Sequence, residues 1–357
     1  TTNPSQQEES MQNSNQSTSI TVHFIDTGNS DSILISDNGK YMIIDGADNN
    51  DEEMLVDYIN DLNIKKIDYV VLTHPDADHS GGLDAVIRNF EIGQVFVGNG
   101  DADTKTYKDF INEAIRKKLQ PSVPLSGKTF QLGEGTFTFY NQESTFEDVN
   151  DNSLITLFTF GDTKFLFMGD AGKEVERQLP LDKIGKVDVL KVGHHGSKTS
   201  SAEEFIKSIA PTYSIICAGR DNKYGHPHQV TLDTIEKYGS MIYRTDTHGT
   251  IFVESNGREI KVSSKGPNSH YIPKENKQRE NSQVSKSNVQ NTISANEGLS
   301  ADKQDQKAEE HSETVFVTST GKKYHKDGCT HLKKSKIPIS IQEAKGQGYE
   351  PCSICYP

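Results

Sequence analysis

Four side chains able to hold a metal, His74, Asp76, Asp78 and His79, fall within six residues directly behind the apolar run Tyr69–Leu72. Such a run predicts a strand, and a turn at its end lets alternate side chains converge on one point. Imidazole offers nitrogen and carboxylate offers hard oxygen. The stretch Thr73-His74-Pro75-Asp76-Ala77-Asp78-His79-Ser80-Gly81-Gly82 can therefore seat two ions side by side. Gly81-Gly82 permits close backbone approach before a helix starting near Leu83. A charged surface turn would account for one stray His or Asp, but not for four ligands in this order.

Three further apolar runs deliver polar groups at their ends. Phe165–Met168 leads into Gly169-Asp170, whose carboxylate either bridges two cations or caps a following helix. Val187–Val192 leads into Gly193-His194-His195-Gly196-Ser197. Adjacent histidines point in different directions, so one can ligate while the other faces substrate; a hydrogen-bonded loop pair is the alternative. Tyr213–Cys217 precedes Asn222-Lys223-Tyr224-Gly225-His226-Pro227-His228, where the proline holds His226 in extended backbone. His228 reads as a surface residue and His248 as a structural turn residue.

Elsewhere, short β-type runs (Ile20–Phe24, Ser32–Ile35, Tyr41–Ile44, Phe137–Tyr140, Leu154–Phe160) mix irregularly with helical stripes. The stripes are Met54, Leu55, Tyr58, Ile59, Leu62; Leu83, Val86, Ile87, Phe90; and Tyr107, Ile111, Ala114, Ile115. Ile251–Val253 and Glu259–Val262 flank Asn256-Gly257, a hairpin signal. The irregular beat favours an α/β (α+β) arrangement of two mixed sheets with helices outside over a doubly wound parallel sheet.

Only 32% of the chain is hydrophobic, so part of it cannot offset its ordering entropy. The expected division is a disordered leader (1–18), a first domain (19–265), a flexible Asn/Gln/Ser/Lys/Glu-rich linker (266–313) and a tail module (314–357). No apolar run reaches the length of a membrane span, about 18 residues. The polar leader suits a tether, so secretion or cell-surface attachment is expected, with a cytoplasmic location as the alternative. The net charge of −13 argues against broad, non-specific nucleic-acid binding, which depends on Lys and Arg. It leaves room for a phosphodiester gripped by metal ions.

His74-x-Asp76-x-Asp78-His79 with Gly81-Gly82, then Gly169-Asp170, resembles the metallo-β-lactamase superfamily. Adding Asp26–Ser32, Asn152-Ser153-Leu154, Gly169-Asp170-Ala171, His194-His195-Gly196-Ser197, Asn222–Pro227 and Arg244–Gly249, the set is similar to the metallo-hydrolase domain of ComEC/Rec2 competence proteins. The resemblance spans about Ile20 to Val262. It implies a four-layer αββα sandwich carrying two divalent ions, zinc or manganese. His74 and Asp76 would hold one ion and Asp78 and His79 the other. Asp170 would bridge them and His195 would add a ligand. His194, His226 and the metal-held Asp78 would be the catalytic groups, although either of these histidines could exchange into the metal shell.

Two departures stand out. Most of the superfamily has His where this chain has Asp76, and another His near Asn152-Ser153. Oxygen in place of nitrogen hardens the first site towards Mn²⁺ or Mg²⁺ and leaves its ion less fully coordinated. The loop Asp26-Thr27-Gly28-Asn29-Ser30-Asp31-Ser32 lacks the usual Gln and second Gly, so substrate contacts there would differ.

Three of the four cysteines crowd into the tail, which is not a disulfide framework. His325-x3-Cys329 and Cys352-x2-Cys355 have the spacing of one closed structural zinc site, with His331 competing for the His325 position. Glu343–Cys355 resembles the zinc-binding domain of Ada-type DNA repair proteins. That family has a cysteine at the position of His325, so its methyl-accepting chemistry is not implied.

The leading expectation is a phosphodiesterase or nuclease that uses metal-activated water on DNA, RNA or a small phosphodiester. The alternatives are a hydrolase of a small ester, lactone or other acyl compound, and a non-catalytic protein binding nucleic acid or cell wall.

Overall fold

A computed structural model describes residues 19–140, 145–266 and, in the tail, 314–317, 323–326, 329, 337–346, 349–352 and 355. The expected leader and all but the first residue of the expected linker lie outside the described residues, as does His331. The chain divides into two compact units, Thr1–Gln290 and Asn291–Pro357.

The first unit runs through β1 (Ile20–Phe24), β2 (Ile33–Asp37), β3 (Lys40–Ile44), α1 (Glu52–Asp61), β4 (Lys66–Leu72), α2 (Ala77–Ser80), α3 (Leu83–Asn89), β5 (Glu91–Val97) and α4 (Lys105–Arg116). It continues with β6 (Thr129–Leu132), β7 (Gly135–Tyr140), β8 (Ile155–Phe160), β9 (Thr163–Phe167), α5 (Lys173–Gln178), α6 (Leu181–Ile184), β10 (Val189–Lys191), α7 (Glu203–Ile209) and β11 (Tyr213–Ile216). Last come α8 (Gln229–Lys237), β12 (Met241–Arg244), α9 (Thr245–His248), β13 (Ile251–Ser255) and β14 (Ile260–Ser264). Two seven-stranded sheets form, in the orders β14-β13-β1-β2-β3-β4-β5 and β12-β11-β10-β9-β8-β7-β6. Each is antiparallel at one end and parallel at the other, the parallel parts being β3-β4-β5 and β9-β10-β11-β12.

Strand alternation builds the layers. Phe24, Ile35, Val71, Phe137, Phe158, Phe165, Val189 and Ile215 fill the space between the sheets. The next residues along, such as Val70, Leu72 and Leu34, pack against α1, α3 and α4. Leu166, Leu190 and Ile216 pack against α5, α6, α7 and α8. With both faces covered, the parallel strands read as continuous apolar runs rather than alternating ones. The result is the four-layer αββα sandwich implied by the resemblance.

Strands β5, β6 and β12 and helices α5, α7 and α8 had no counterpart in the sequence patterns. β5 exposes Glu91, Gly93 and Gln94 before burying Val95–Val97, and β12 exposes Met241 while burying none of its residues. The last hairpin forms, but Ser255 pairs with Ile260, so residues 256–259 make a four-residue connection rather than a two-residue Asn-Gly turn. Asn256 Oδ1 accepts from the backbone of Arg258 and Glu259 and closes it.

In the second unit Thr314–Val317 pairs antiparallel with Ile337–Ser340, and Lys323–Tyr324 pairs parallel with Glu350–Pro351. Among the described residues, Val315, Tyr324 and Ala344 form its hydrophobic core.

Candidate metal centre

The centre collects at the carboxyl ends of parallel strands from both sheets, where open α/β sheets place their sites. Behind β4 stand Thr73 and His74, and α2 carries Asp78 and His79. Behind β9 comes Asp170, and behind β10 the pair His194-His195. Gly169 makes the turn with φ +52°, where a Cβ would strike Ser153 and Thr73. His194 and His195 are both left-handed, at φ 49° and 50°, an uncommon conformation for β-carbon-bearing residues that aims the two rings apart.

His74, His79 and His195 are buried, and each has its Nδ1 engaged. His79 Nδ1 is 2.8 Å from Asp45 Oδ2. His195 Nδ1 is 2.9 Å from the Cys217 carbonyl. His74 Nδ1 lies 3.1 Å from Thr73 Oγ1 and 3.4 Å from Ser153 Oγ. All three Nε2 atoms are buried without a hydrogen-bond partner. Tethering one nitrogen fixes the ring and presents the lone pair of the other, as metal-holding histidines require.

Asp170 meets these rings with separate oxygens. Oδ1 is 3.4 Å from His79 Nε2, and Oδ2 is 3.4 Å from His195 Nε2. His195 Nε2 is also 3.5 Å from Asp78 Oδ2. Two ligands about 2.1 Å from a shared ion at a tetrahedral angle lie about 3.4 Å apart, so these spacings match a coordination shell. Among the close groups of three are two overlapping triads, His74/His79/Asp170 and Asp78/His79/His195. The residues present thus fit divalent cations.

Asp76 belongs to neither triad. Its half-exposed carboxylate is 3.9 Å from His74 Nε2 at the rim. His194 Nε2 is 3.8 Å from Asp170 Oδ2, and its ring and that of His226 lie edge to face, 5.5 Å apart. His226, half-buried, stands over His195 at 6.2 Å. His248, at the end of α9, accepts at Nδ1 from the Arg244 backbone, and His228 Nδ1 accepts from that of Lys198.

The field of the site favours positive charge. Burial alone would hold the His79 imidazole down, yet Asp170 and Asp45 carry it well above the usual histidine range. Burial opposes ionisation of Asp78, but His195, with Nε2 3.5 Å away, and the nearby His79 hold its carboxyl at about 2.

Sequence reasoning missed Asp31, Asp45, Lys191 and the role of Ser153. Asp45 ends an apolar strand just as Asp170 does, and that shared signal could have found it. It accepts from Thr73 N and Thr73 Oγ1, both at 2.8 Å, as well as from His79. Lys191 is a lone cation inside an apolar strand, fully buried and paired with Asp31. Ser153, near the missing superfamily histidine, holds His74 and accepts from the Asp170 backbone at 3.0 Å. It holds His74 and Asp170 in place.

In the tail, pairing of Tyr324 with Pro351 sets His325 beside Cys352. His325 Nδ1 lies 3.3 Å from Cys329 Sγ and 3.9 Å from Cys355 Sγ. All four ligand atoms fall within 4.8 Å of one another, on either side of the roughly 3.6 Å expected around a tetrahedral zinc with mixed N and S ligands.

Residues 25–220 match the metallo-beta-lactamase superfamily, and the chain belongs to that superfamily. Its domain is of the ComEC/Rec2-like kind. It is 31% identical over 202 residues to ComE operon protein 3 of Bacillus subtilis, covering 56% of this chain and 26% of that protein. It is 28% identical over 238 residues to Recombination protein 2 of Haemophilus influenzae, covering 65% and 28%. Competence protein ComA of Neisseria gonorrhoeae is 26% identical over 229 residues, covering 63% and 31%. The chain thus spans between a quarter and a third of the length of these relatives.

Proposed function

We propose that the first domain is a phosphodiesterase acting on DNA or RNA through two divalent cations, manganese or zinc, held by His74, Asp76, Asp78, His79, Asp170 and His195. The observation that carries this reading is the approach of the buried, unpartnered Nε2 atoms of His79 and His195 to the two oxygens of Asp170, with His74 in the same close group. Cations held there supply Lewis acidity towards a phosphoryl oxygen and a water nucleophile at neutral pH. The protein's own groups do the remainder. Asp45, Thr73, Ser153 and the Cys217 carbonyl hold the three rings in register. His194, a quarter exposed and hydrogen-bonded through Nδ1 to Thr199, stands where a proton can pass to the leaving oxygen. His226 faces the same opening and can donate to a phosphoryl oxygen.

Relatives named for competence and recombination support a nucleic-acid substrate over a small ester. The acidic chain fits as well, because cations rather than Lys and Arg would grip the phosphate. In the tail, one structural zinc on His325, Cys329, Cys352 and Cys355 would add to a hydrophobic core that, among the described residues, is Val315, Tyr324 and Ala344.

The test is incubation of plasmid DNA, RNA, a model phosphodiester and a lactone with the full chain and Mn²⁺, beside Asp170→Ala. Nucleic acid should be degraded by the wild type and spared by the variant. Turnover of the lactone alone would replace this reading with acyl hydrolysis.

A further inference from the structure

One buried cation has no part in that mechanism. Lys191 has no exposed surface; its ammonium pairs with Asp31, donates to the Gly169 carbonyl at 3.1 Å and lies 3.9 Å from Asp170 Oδ1. Asp31 is equally buried and within reach of the centre. Its Oδ1 is 3.5 Å from His195 Nδ1, and its Oδ2 is 3.9 Å from His79 Nδ1. Asp31 groups with Asp170 and His195, and again with Asp45 and His79, as closely as the two triads do. Asp31 faces the Nδ1 side of both rings, and its grouping with Asp170 and His195 brings its carboxylate to the edge of the metal shell.

We infer that Lys191 is a resident cation that holds Asp31 out of the metal shell, fixing which carboxylates ligate and how much charge the centre accepts. With the histidines neutral, as metal binding requires, five carboxylates (Asp31, Asp45, Asp76, Asp78 and Asp170) against one ammonium leave four negative charges, which two divalent cations would offset. A neutral residue at position 191 would leave five and would free Asp31 to take a cation. Asparagine at position 31 would leave a buried ammonium facing the site and repelling any incoming ion. The inference rests on the cation-centre part of the proposed function and is independent of the substrate.

The experiment measures Mn²⁺ affinity by competition titration on the full chain, with melting temperature alongside, for Lys191→Met, Asp31→Asn and the double variant. Lys191→Met should bind Mn²⁺ at least about tenfold more tightly than wild type and Asp31→Asn at least about tenfold more weakly, since one unit charge near 4 Å in a partly screened interior exceeds that effect. The double variant should return to near the wild-type affinity. A pair that merely staples the fold would lower both melting temperatures while leaving the affinities level, and that result overturns the inference. So do two single variants that both weaken binding. Should Lys191→Met fail to fold, the double variant decides: affinity recovered over Asp31→Asn sustains the inference, and no recovery overturns it. Wild-type protein that binds no Mn²⁺, and no Zn²⁺ beyond the one ion per chain that Cys352→Ser removes, eliminates the cation-centre reading itself, an outcome distinct from the others.

Discussion

Asp45→Asn isolates the orienting role of a carboxylate that touches no substrate. Asp45 Oδ1 accepts from Thr73 N, while Oδ2 accepts from Thr73 Oγ1 and His79 Nδ1, each at 2.8 Å. Asparagine keeps the shape but turns one of these acceptors into a donor. If the amide nitrogen takes the Oδ1 place, it opposes the Thr73 N–H inside a fully buried pocket. A buried donor left without an acceptor costs about 1–3 kcal/mol, and each kcal/mol lowers the melting temperature of a domain this size by roughly 2–4 °C. If the nitrogen takes the Oδ2 place, Thr73 Oγ1 can turn to accept, but His79 must move its proton to Nε2. That blocks the lone pair aimed at Asp170. Loss of such an orienting partner weakens metal binding by about 10–100-fold, or about 1.4–2.7 kcal/mol. Mn²⁺ titration and thermal denaturation with and without chelator separate the two outcomes. A folded variant with wild-type affinity and wild-type melting temperature would refute the assignment of Asp45 as the anchor of His79.

Gly81→Ala should destabilise by more than about 3 kcal/mol, because the added Cβ would overlap the backbone of Asp48 and Asn49; chemical denaturation reads this, and a near-neutral result would contradict the close approach. His23, hydrogen-bonded to Tyr58, is held down at about 4 by burial and the nearby Lys265. Protonation therefore favours the unfolded chain: this contribution is fully present above about pH 6.5, is lost as pH falls through about 4, and amounts to about 3 kcal/mol. In urea unfolding, His23→Gln should flatten the stability slope between those pH values, and an unchanged slope would count against it. Cys352→Ser should lower bound zinc by one ion per chain and expose the tail to protease; equal zinc content would remove the tail site.

The main proposed ligands were legible because each closes an apolar strand with a polar run, a pattern that local sequence carries fully. His74, His79, Asp170 and His195 all announce themselves this way. Lys191 and Asp31 do not, since a lysine in a strand and an aspartate in a loop gain meaning only when the two sheets stack and bring them together. Asp45 gave the right signal without neighbouring histidines to draw notice. Among the elements, the stripes of α1, α3 and α4 show because each buries one clear face. β12 is hidden for the opposite reason: it borders the second sheet, buries no residue fully and exposes Met241. The Asn256-Gly257 signal located the hairpin but not its length, which the side chain of Asn256 sets by closing a longer connection.

Because Asp45, His74 and His79 follow strands of one sheet while Asp170 and His195 follow strands of the other, the centre is a seam across the sandwich. Ions bound there would clamp the two halves at one rim, while side-chain packing and hydrogen bonds such as Gly135 N to Asp37 and Thr163 Oγ1 with Ser255 Oγ join them elsewhere. Chelation should then loosen both sheets at once, and amide hydrogen exchange would quicken together at the ends of β4 and β9. Inactivation by chelators would, on this view, partly reflect a sandwich coming ajar.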